Sequence, residues 1–562
     1  MNNTKTEFIL TGEIFIKMIH GAALNLRSEA QKINDLNVFP VPDGDTGDNM
    51  LSTLMGGVER TLDPNDGLGV TARKVADGML LSARGNSGVI LSQFFDGIAA
   101  GFEGLETADT KAIGKAFRKG VRRAYRAVMK PAEGTILTVA NEATEYACNT
   151  KHSSVGDFLD NFVCEARRSL DRTPELLPIL KSAGVVDSGG AGLLSIIEGM
   201  CQAMDNGFDL MDFDNTDTRT AMPEEIDYDR FSEHDVLEYG YCTELLVRLQ
   251  SSKTDLSSFD PECIKCILTE IGDSIAVVRS GSILKIHVHT KTPDRVLALC
   301  QKYGEFLKVK IENMSLQHNS IETETRDAEE NTVITVSNKE PRRDFGVVVA
   351  ACGDGIKQTF LECGADFIVE GGQSMNPSAE DFIHAFESVN ARTIFVFPNN
   401  GNVILAARQA AKMFDTSDVR VIESRNVGEG YASLSMMDTS CGDADAIEAE
   451  LNANMQGVVT AEIARCIRNA EMQNVEIHTG DYIGYVGKNI LSASNERLEA
   501  SLRLIDGLDL DNHGLFLLFS GSDSSEDETE QICGYIAEKH PTCEVYPLYG
   551  GQDIYSYIMI AE

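Results

Sequence analysis

Apolar residues recur at intervals of three and four through residues 1–205, in "FILTGEIFIKMIHGAALNL", "VTARKVADGMLLSA", "SGVILSQFFDGIAAGF", "GTILTVANEATEYA" and "DFLDNFVCEARRSL". That is the period of an amphipathic helix, and no stretch there alternates with period two. An all-helical region is therefore expected, with its conspicuous Gly, Asn and Asp residues in the turns between helices. Residues 206–317 open on an acidic patch and continue with strand patterns, "YGYCTELLVRL", "SIAVVRSG" and "ILKIHVHT", beside helical stretches such as "PDRVLALCQKYG". An α+β middle domain is expected. Residues 318–344 are polar and acidic with too few apolar positions to hold a core, which reads as a linker. From 345 to 562 short apolar runs ("FGVVVAACG", "DFIVEGG", "RTIFVFPNN") alternate with helical stretches, the pattern of βαβ units on a parallel sheet, and the pattern becomes mixed after about 456.

Length agrees with several domains, since 562 residues exceed what one core holds. No run approaches the roughly 18 apolar residues of a membrane span. Lys and Glu interrupt the apolar residues of "MNNTKTEFILTGEIFIKMIH", so no secretory signal is expected. Thirteen scattered cysteines then read as reduced thiols, and the expected compartment is the cytoplasm. A net charge of −38 excludes nucleic acid as a general partner, because nothing supplies counterion release. One segment opposes that charge: Lys115, Arg118, Lys119, Arg122, Arg123, Arg126 and Lys130 form a stripe at helical spacing. It is either a solvated helix face or a peripheral dock for an acidic partner or an anionic membrane surface.

The candidate chemistry is concentrated in "NVFPVPDGDTGDNM", where Asp43 and Asp45 stand two residues apart just before a helical pattern resumes. A calcium loop starting at Asp43 would need Gly and Glu where Asp48 and Leu54 stand, so that reading fails. A haloacid-dehalogenase phosphatase signature would need a preceding strand, which Pro40 and Pro42 spoil. Helix capping accounts for one aspartate but not for both together with Asn37. A magnesium–phosphate turn accounts for all three, since Mg²⁺ takes oxygen ligands from one or two carboxylates and from phosphate. Without a metal, each carboxylate would repel each phosphate charge by roughly 4 kcal/mol at about 4 Å and an effective dielectric near 20. Two more Gly-rich helix starts suit an anion: "SARGNSGVIL", with Gly85, Asn86, Ser87 and Gly88, and "VVDSGGAGLL", with Asp187, Ser188, Gly189 and Gly190. No GxxxxGK[S/T] occurs, which excludes a Walker-type site.

A second constellation lies in the middle domain. A strand through "ILKIHVHT" puts His287 and His289 on one face, and Cys242 falls on another strand. Two imidazoles and a thiolate suit Zn²⁺, while the plain alternative is a histidine pair facing solvent. Cys263 and Cys266 form a lone CxxC within a helical stretch, with no second pair.

The motifs "LNVFPVPDGDTGDNM", "SARGNSGVILSQFFDG", "KPAEGTILTVANEA" and "AGVVDSGGAGLL" resemble the nucleotide-binding subunit of dihydroxyacetone kinases. More closely still, and with "GGQSMNPS", "FPNNGNV" and "GGQDIYSY", the whole chain resembles the catalytic proteins of fatty acid kinases. The resemblance implies an N-terminal eight-helix antiparallel barrel with ATP at one end on two Mg²⁺ ions. It implies that Asp43, Asp45 and Asn37 hold Mg²⁺, and that Thr46, Gly47 and Asn49, with Asn86, Ser87 and Gly88 opposite, contact the phosphates. Gly134, Thr135, Asp187, Ser188 and Gly189 would border the nucleotide, and Cys242, His287 and His289 would bind Zn²⁺. Asp48 stands where the family has Thr, as a third acidic contact or a helix-start charge, and Asp553 stands where the family's closing motif has Pro.

The expected activity is ATP-dependent phosphorylation of a fatty acid's carboxylate, the acid being presented by a DegV-type binding protein, in a homodimer. A carboxylate is ionised at neutral pH and needs no general base, which matches a first domain that offers carboxylates and glycine turns but no obvious base. The alternatives are a dihydroxyacetone-type kinase, a Mg²⁺-dependent phosphatase and a non-catalytic nucleotide-sensing scaffold. Ser374, Asn376, Asn399, Asn400 and Asn402 lie at the carboxyl ends of expected strands, as helix caps or as part of the surface that meets the lipid carrier.

Overall fold

The computed structural model describes residues 9–37, 44–60, 66–205, 241–249, 253–254, 259, 261–268, 271–280, 283–313, 342–372, 376–472, 475–510 and 513–562. Asp43, Ser374 and the expected linker up to residue 341 lie outside the described residues. The chain forms two compact units, one of Met1–Thr218 with Lys339–Glu562 and one of Arg219–Asn338.

In the larger unit the N-terminal region is helical. Its elements are α1 (Gly12–Asn34), α2 (Thr46–Val58), α3 (Leu68–Leu81), α4 (Gly85–Phe102), α5 (Thr110–Ala127), α6 (Ile136–Asn149), α7 (Val155–Leu176), the short α8 (Pro178–Ala183) and α9 (Ser188–Asp205). Two residue pairs, β1 (Leu10–Thr11) and β2 (Thr107–Ala108), form a small antiparallel bridge. Local chemistry sets the starts: Thr11, Asp109 and Ser154 each accept a first-turn N–H of α1, α5 and α7. Each long helix packs on the next in the chain, and α9 returns to α1. The core between them is one cluster in which Phe117 of α5 meets Phe94, Phe158 and Phe162 edge-on at ring distances of 5.5 to 5.7 Å. Ile113, Phe117, Val121 and Ala124 are buried, so the basic stripe occupies the opposite face of α5. There Arg118 pairs with Glu145 and Arg123 with Asp96, which leaves most of the stripe solvated.

The C-terminal region of the same unit carries two sheets. The first is wholly parallel, in the order β10 (Asp418–Val421), β9 (Ala391–Phe397), β7 (Arg343–Ala351), β8 (Phe367–Glu370). The second has six strands in the order β15 (Asn489–Ser494), β14 (Tyr482–Val486), β11 (Val459–Arg465), β18 (Tyr555–Ala561), β16 (Leu515–Ser520), β17 (Glu544–Tyr549); only β16 and β17 run parallel. A hairpin, β12 (Ala470–Met472) and β13 (Val475–Ile477), pairs separately from both sheets, with Ile477 buried in their shared core. Val347, Val349, Phe395 and Phe397 of the first sheet share a core with Leu517, Phe519, Ile558 and Ile560 of the second.

The helical and C-terminal regions dock on each other. Ala406, on a helix spanning Ile404–Met413, packs with Ala83 and Val89 beside α4. Gln409 of that helix is buried, accepts from Gln93 Nε2 at 2.9 Å and donates to the Leu80 carbonyl. In the smaller unit β4 (Asp273–Ser280), β5 (Ile283–Thr290), β3 (Tyr241–Leu249) and β6 (Gly304–Asn313) form an antiparallel sheet, with α10 (Pro261–Leu268) and α11 (Pro293–Cys300). Cys263 and Cys266 lie on α10, as expected of a helical CxxC.

Candidate functional site

The aspartate turn is built on the last turn of α1. Gly47 lies so close to that helix that a Cβ there would come within 2.3 Å of the Ala30 carbonyl oxygen. Asn34, buried at the end of α1, uses its Oδ1 to accept from Gly47 N–H at 2.7 Å and its Nδ2 to donate to Asp48 at 2.9 Å. Asp48 is thus tied to Asn34 and does not line the cleft described below. Asp45 occupies the N-cap position of α2 without a side-chain capping bond.

Three other helix starts converge on this one. Arg84 precedes α4 without capping it, and Gly85 takes φ +58°, a left-handed conformation that brings the chain against Asn49; a Cβ there would lie 2.5 Å from Asn49 Nδ2. Thr135 caps α6, accepting from Leu137 N–H at 3.4 Å. At α9, Asp187 accepts from Gly190 N–H at 2.7 Å, and Ser188 donates to the Thr46 hydroxyl at 3.2 Å, joining the starts of α9 and α2.

Between them lies a cleft of about 230 Å³ lined by Asn37, Asp45, Thr46, Asn49, Asn86, Ser87, Thr135, Asp187, Ser188 and Gly189, all expected from the sequence, with Ile90, Ile136 and Asn402 added. Burial pushes the Asp187 carboxyl up to about 6, against the lowering pull of the Gly190 and Ile136 N–H groups. Asp45, Asn37, Thr46 and Ser188 form a set of oxygen donors with no sulfur or imidazole among them. Such a set fits Mg²⁺, which keeps few protein ligands and fills the rest of its shell with phosphate and water. Among the described residues no three His, Cys, Asp or Glu side chains gather as a protein-only metal cage.

Of the other expected residues, Asp43 falls outside the described residues. Gly47, Gly88 and Gly134 do not line the cleft and serve packing. Gly88 lies against Thr53, while Gly134 takes φ +83° and donates its N–H to Thr138 Oγ1 at 2.8 Å. Ile90 and Ile136 follow the Gly-rich starts by a few residues and are the apolar positions of the helical pattern itself. Asn402 was visible as a strand-end residue of the C-terminal region, but nothing local in the chain assigns it to this cleft. In the smaller unit, backbone register pairs Cys242 with His289 and Glu244 with His287. His287 and His289 thus stand two residues apart on β5, and Cys242 on β3 is the register partner of His289.

Three family models match the chain. A DAK2 domain covers residues 40–202, a FakA-like (fatty acid kinase) middle domain 238–321 and a FakA-like C-terminal domain 346–562. Protein YloV of Bacillus subtilis (strain 168) is 38% identical over 565 residues, spanning 98% of this chain and 99% of that protein. Uncharacterized protein SERP0792 of Staphylococcus epidermidis is 35% identical over 558 residues, with the same shares. Among solved structures, the dihydroxyacetone kinase from C. freundii in complex with AMP-PNP and Mg²⁺ matches at TM-score 0.28 and 16% identity over 36% of each chain. DegV, a fatty acid binding protein from Bacillus subtilis, matches at TM-score 0.31 and 13% identity over 39% of this chain and 100% of its own.

Proposed function

This chain belongs to the FakA-like family of fatty acid kinase proteins, and on that premise we propose that it transfers the γ-phosphoryl group of ATP to the carboxylate of a fatty acid held by a DegV-type binding protein, giving an acyl phosphate. The observation that carries this reading is the convergence of the α2, α4, α6 and α9 starts on one polar cleft that contains Asp45. Packing of eight long helices each on the next, with the last returning to the first, supports an antiparallel barrel with nucleotide at one end.

In this reading Asp43, Asp45 and Asn37 hold Mg²⁺, which supplies charge neutralisation on the triphosphate when bound. Asn49, Asn86 and Ser87 position phosphate oxygens, helped by first-turn N–H groups that no side chain caps on α4. Ser188 and Thr46, already linked to each other, fix the distance between the two sides of the cleft. No residue has to remove a proton, because the acceptor carboxylate is already ionised, so the chain's contribution is placement and exclusion of water.

Hydroxylamine trapping tests the reaction, with ATP, Mg²⁺, oleate and a DegV-type carrier, beside an Asp43→Ala/Asp45→Ala control. Hydroxamate that requires ATP and falls about a thousandfold in the control is the expected result, several kcal/mol of lost charge stabilisation. Tight ATP binding with no hydroxamate removes the fatty acid assignment for that carrier. In the middle region we propose that Cys242, His287 and His289 hold Zn²⁺, supported by the backbone register that pairs Cys242 with His289 two residues from His287. Metal analysis of protein purified without chelators should find zinc that a Cys242→Ser variant lacks; equal metal content in both sinks this assignment.

A further inference from the structure

The nucleotide cleft is not made by the helical region alone. Asn376 follows β8 and precedes a helix spanning Ala379–Val389, 331 residues along the chain from Asp45. It is only 1% exposed, and its Nδ2 donates to the Asp45 carboxylate. Its placement is over-determined. The Asn376 carbonyl accepts from Arg84 Nη1 at 3.1 Å, the backbones of Arg84 and Ser378 bridge, Ala379 N–H donates to the Ala83 carbonyl at 3.3 Å, and Arg84 Nη2 lies 3.8 Å from Asp381. Asp381 and Ser378 in turn form the capping box of the following helix, so a rigid element aims the asparagine. Beside it, Asn402 accepts from Asn86 Nδ2 at 3.1 Å at the rim of the same cleft.

One detail is out of balance: Asn376 Oδ1 is buried with no hydrogen-bond partner. Leaving a buried carbonyl unsatisfied is costly, and this one shares a planar amide with the group that touches a carboxylate. Turning the amide over does not relieve it, because Oδ1 would then stand against the Asp45 carboxylate, an arrangement made favourable by a cation between the two oxygens. Either orientation leaves an oxygen-rich spot next to Asp45 that a cation completes.

We propose that Asn376, delivered by the C-terminal region, is a positioning residue for the divalent cation at Asp45, so that the phosphoryl-transfer site is shared between the two docked regions. This rests on the metal–nucleotide reading of the cleft given above. Nδ2 fixes one carboxylate oxygen of Asp45 and the amide oxygen meets the ion or its water shell. Partners that orient a metal-holding carboxylate typically change metal affinity 10–100-fold when removed.

The test uses the full chain and Mn²⁺ as the probe, with bound ion counted by electron paramagnetic resonance in the presence and absence of AMP-PNP. Asn376→Ala is expected to weaken Mn²⁺ binding in the nucleotide complex by about 10–100-fold while leaving metal-free AMP-PNP affinity as in the parent. Gln409→Ala, on the same docking surface but away from the cleft, should leave Mn²⁺ affinity unchanged. Unaltered Mn²⁺ affinity in Asn376→Ala overturns the proposal. So does an equal loss in Gln409→Ala, because Asn376 would then matter only for docking. A parent chain that binds no Mn²⁺ with AMP-PNP would instead overturn the metal–nucleotide reading itself.

Discussion

The helical region and the C-terminal α/β region each collect chain ends at one place, but they collect opposite ends. Four helix N-termini surround the cleft at Asp45, so backbone donors and the positive ends of helix dipoles point where an anion would sit. In the C-terminal region the carboxyl ends of β7 and β9 open on a smaller cavity of about 60 Å³, lined by Ala351, Gly372, Asn399 and Gln552 among others. There Asn399 Oδ1 and Gln552 Oε1 are buried without partners, so the surplus is of acceptors. The first place is large, polar and ringed by helix starts; the second is about a quarter of its volume. The difference teaches that strand ends and helix starts build cavities of opposite polarity, and only the helix starts offer an anion a ring of N–H donors. Here the C-terminal region contributes through Asn376 and Asn402, which reach out of their own sheet to the other cleft.

The sharpest way to break the comparison is to disturb the seat of α2. Gly47→Ala would gain up to about 1 kcal/mol of helix propensity, but its Cβ meets a backbone oxygen of α1 that cannot swing aside. Overpacking of this kind costs about 1–3 kcal/mol, so the clash wins and α2 is displaced from Asn34. Expected are a net loss of about 1–2 kcal/mol in urea unfolding and weaker Mg²⁺–ATP binding by calorimetry. Parental affinity in a destabilised variant would mean that the α2 start does not hold the nucleotide.

Much of this was legible in the chain, for physical reasons that also mark where legibility stopped. Helices of 13 to 23 residues with a 3.6 period announce themselves, and the Gly, Asn and Asp residues between them could only be turn residues. Seven of the cleft's lining residues follow from those turns, while Thr46, Asn49 and Thr135 were implied by the family resemblance. Gly47 and Gly88, expected at the phosphates, are also contact points between helices, because glycine is required equally by a ligand and by a close neighbour. Asp48, readable as a third acidic contact or as a helix-start charge, is held by Asn34, a partner 14 residues back that no periodicity reveals. Asn376 and Asn402 were noticed as strand-end residues, yet their destination is a tertiary contact across more than 300 residues, and local pattern carries no information about it.

A middle-sized effect concerns the cost of a polar cleft. Asp187 is raised from its ordinary 3.8 to about 6 by burial, so between those values the folded chain keeps a proton that the unfolded chain has lost. Its carboxyl therefore favours the fold at pH 4, and that contribution is lost as pH rises through 6. The upper bound at pH 7 is about 3 kcal/mol, and since Asp187 keeps some exposure, on the order of 1 kcal/mol is expected. Asp187→Asn, which keeps an acceptor for Gly190 N–H, should raise stability at pH 7 by that amount and leave pH 4 unchanged. Equal shifts at both pH values would show that the buried charge is not the cause.

The smallest effect belongs to the second cavity and sharpens its contrast with the first. Gln552 is 4% exposed; its Nε2 makes one long bond of 3.4 Å to the Phe519 carbonyl, and its Oε1 makes none. Replacing such an amide by an apolar side chain of similar shape removes an unsatisfied acceptor together with a weak bond, and the two nearly cancel. Gln552→Met should therefore change urea stability by less than about 0.5 kcal/mol and leave Mg²⁺–ATP binding untouched. A loss of about 2 kcal/mol or more would show that the oxygen is satisfied in solution by water or a small donor held in the cavity. In that event the strand-end cavity would be a filled polar site, and the contrast between a cleft ringed by helix N-termini and an acceptor-rich pocket would narrow to a contrast of size.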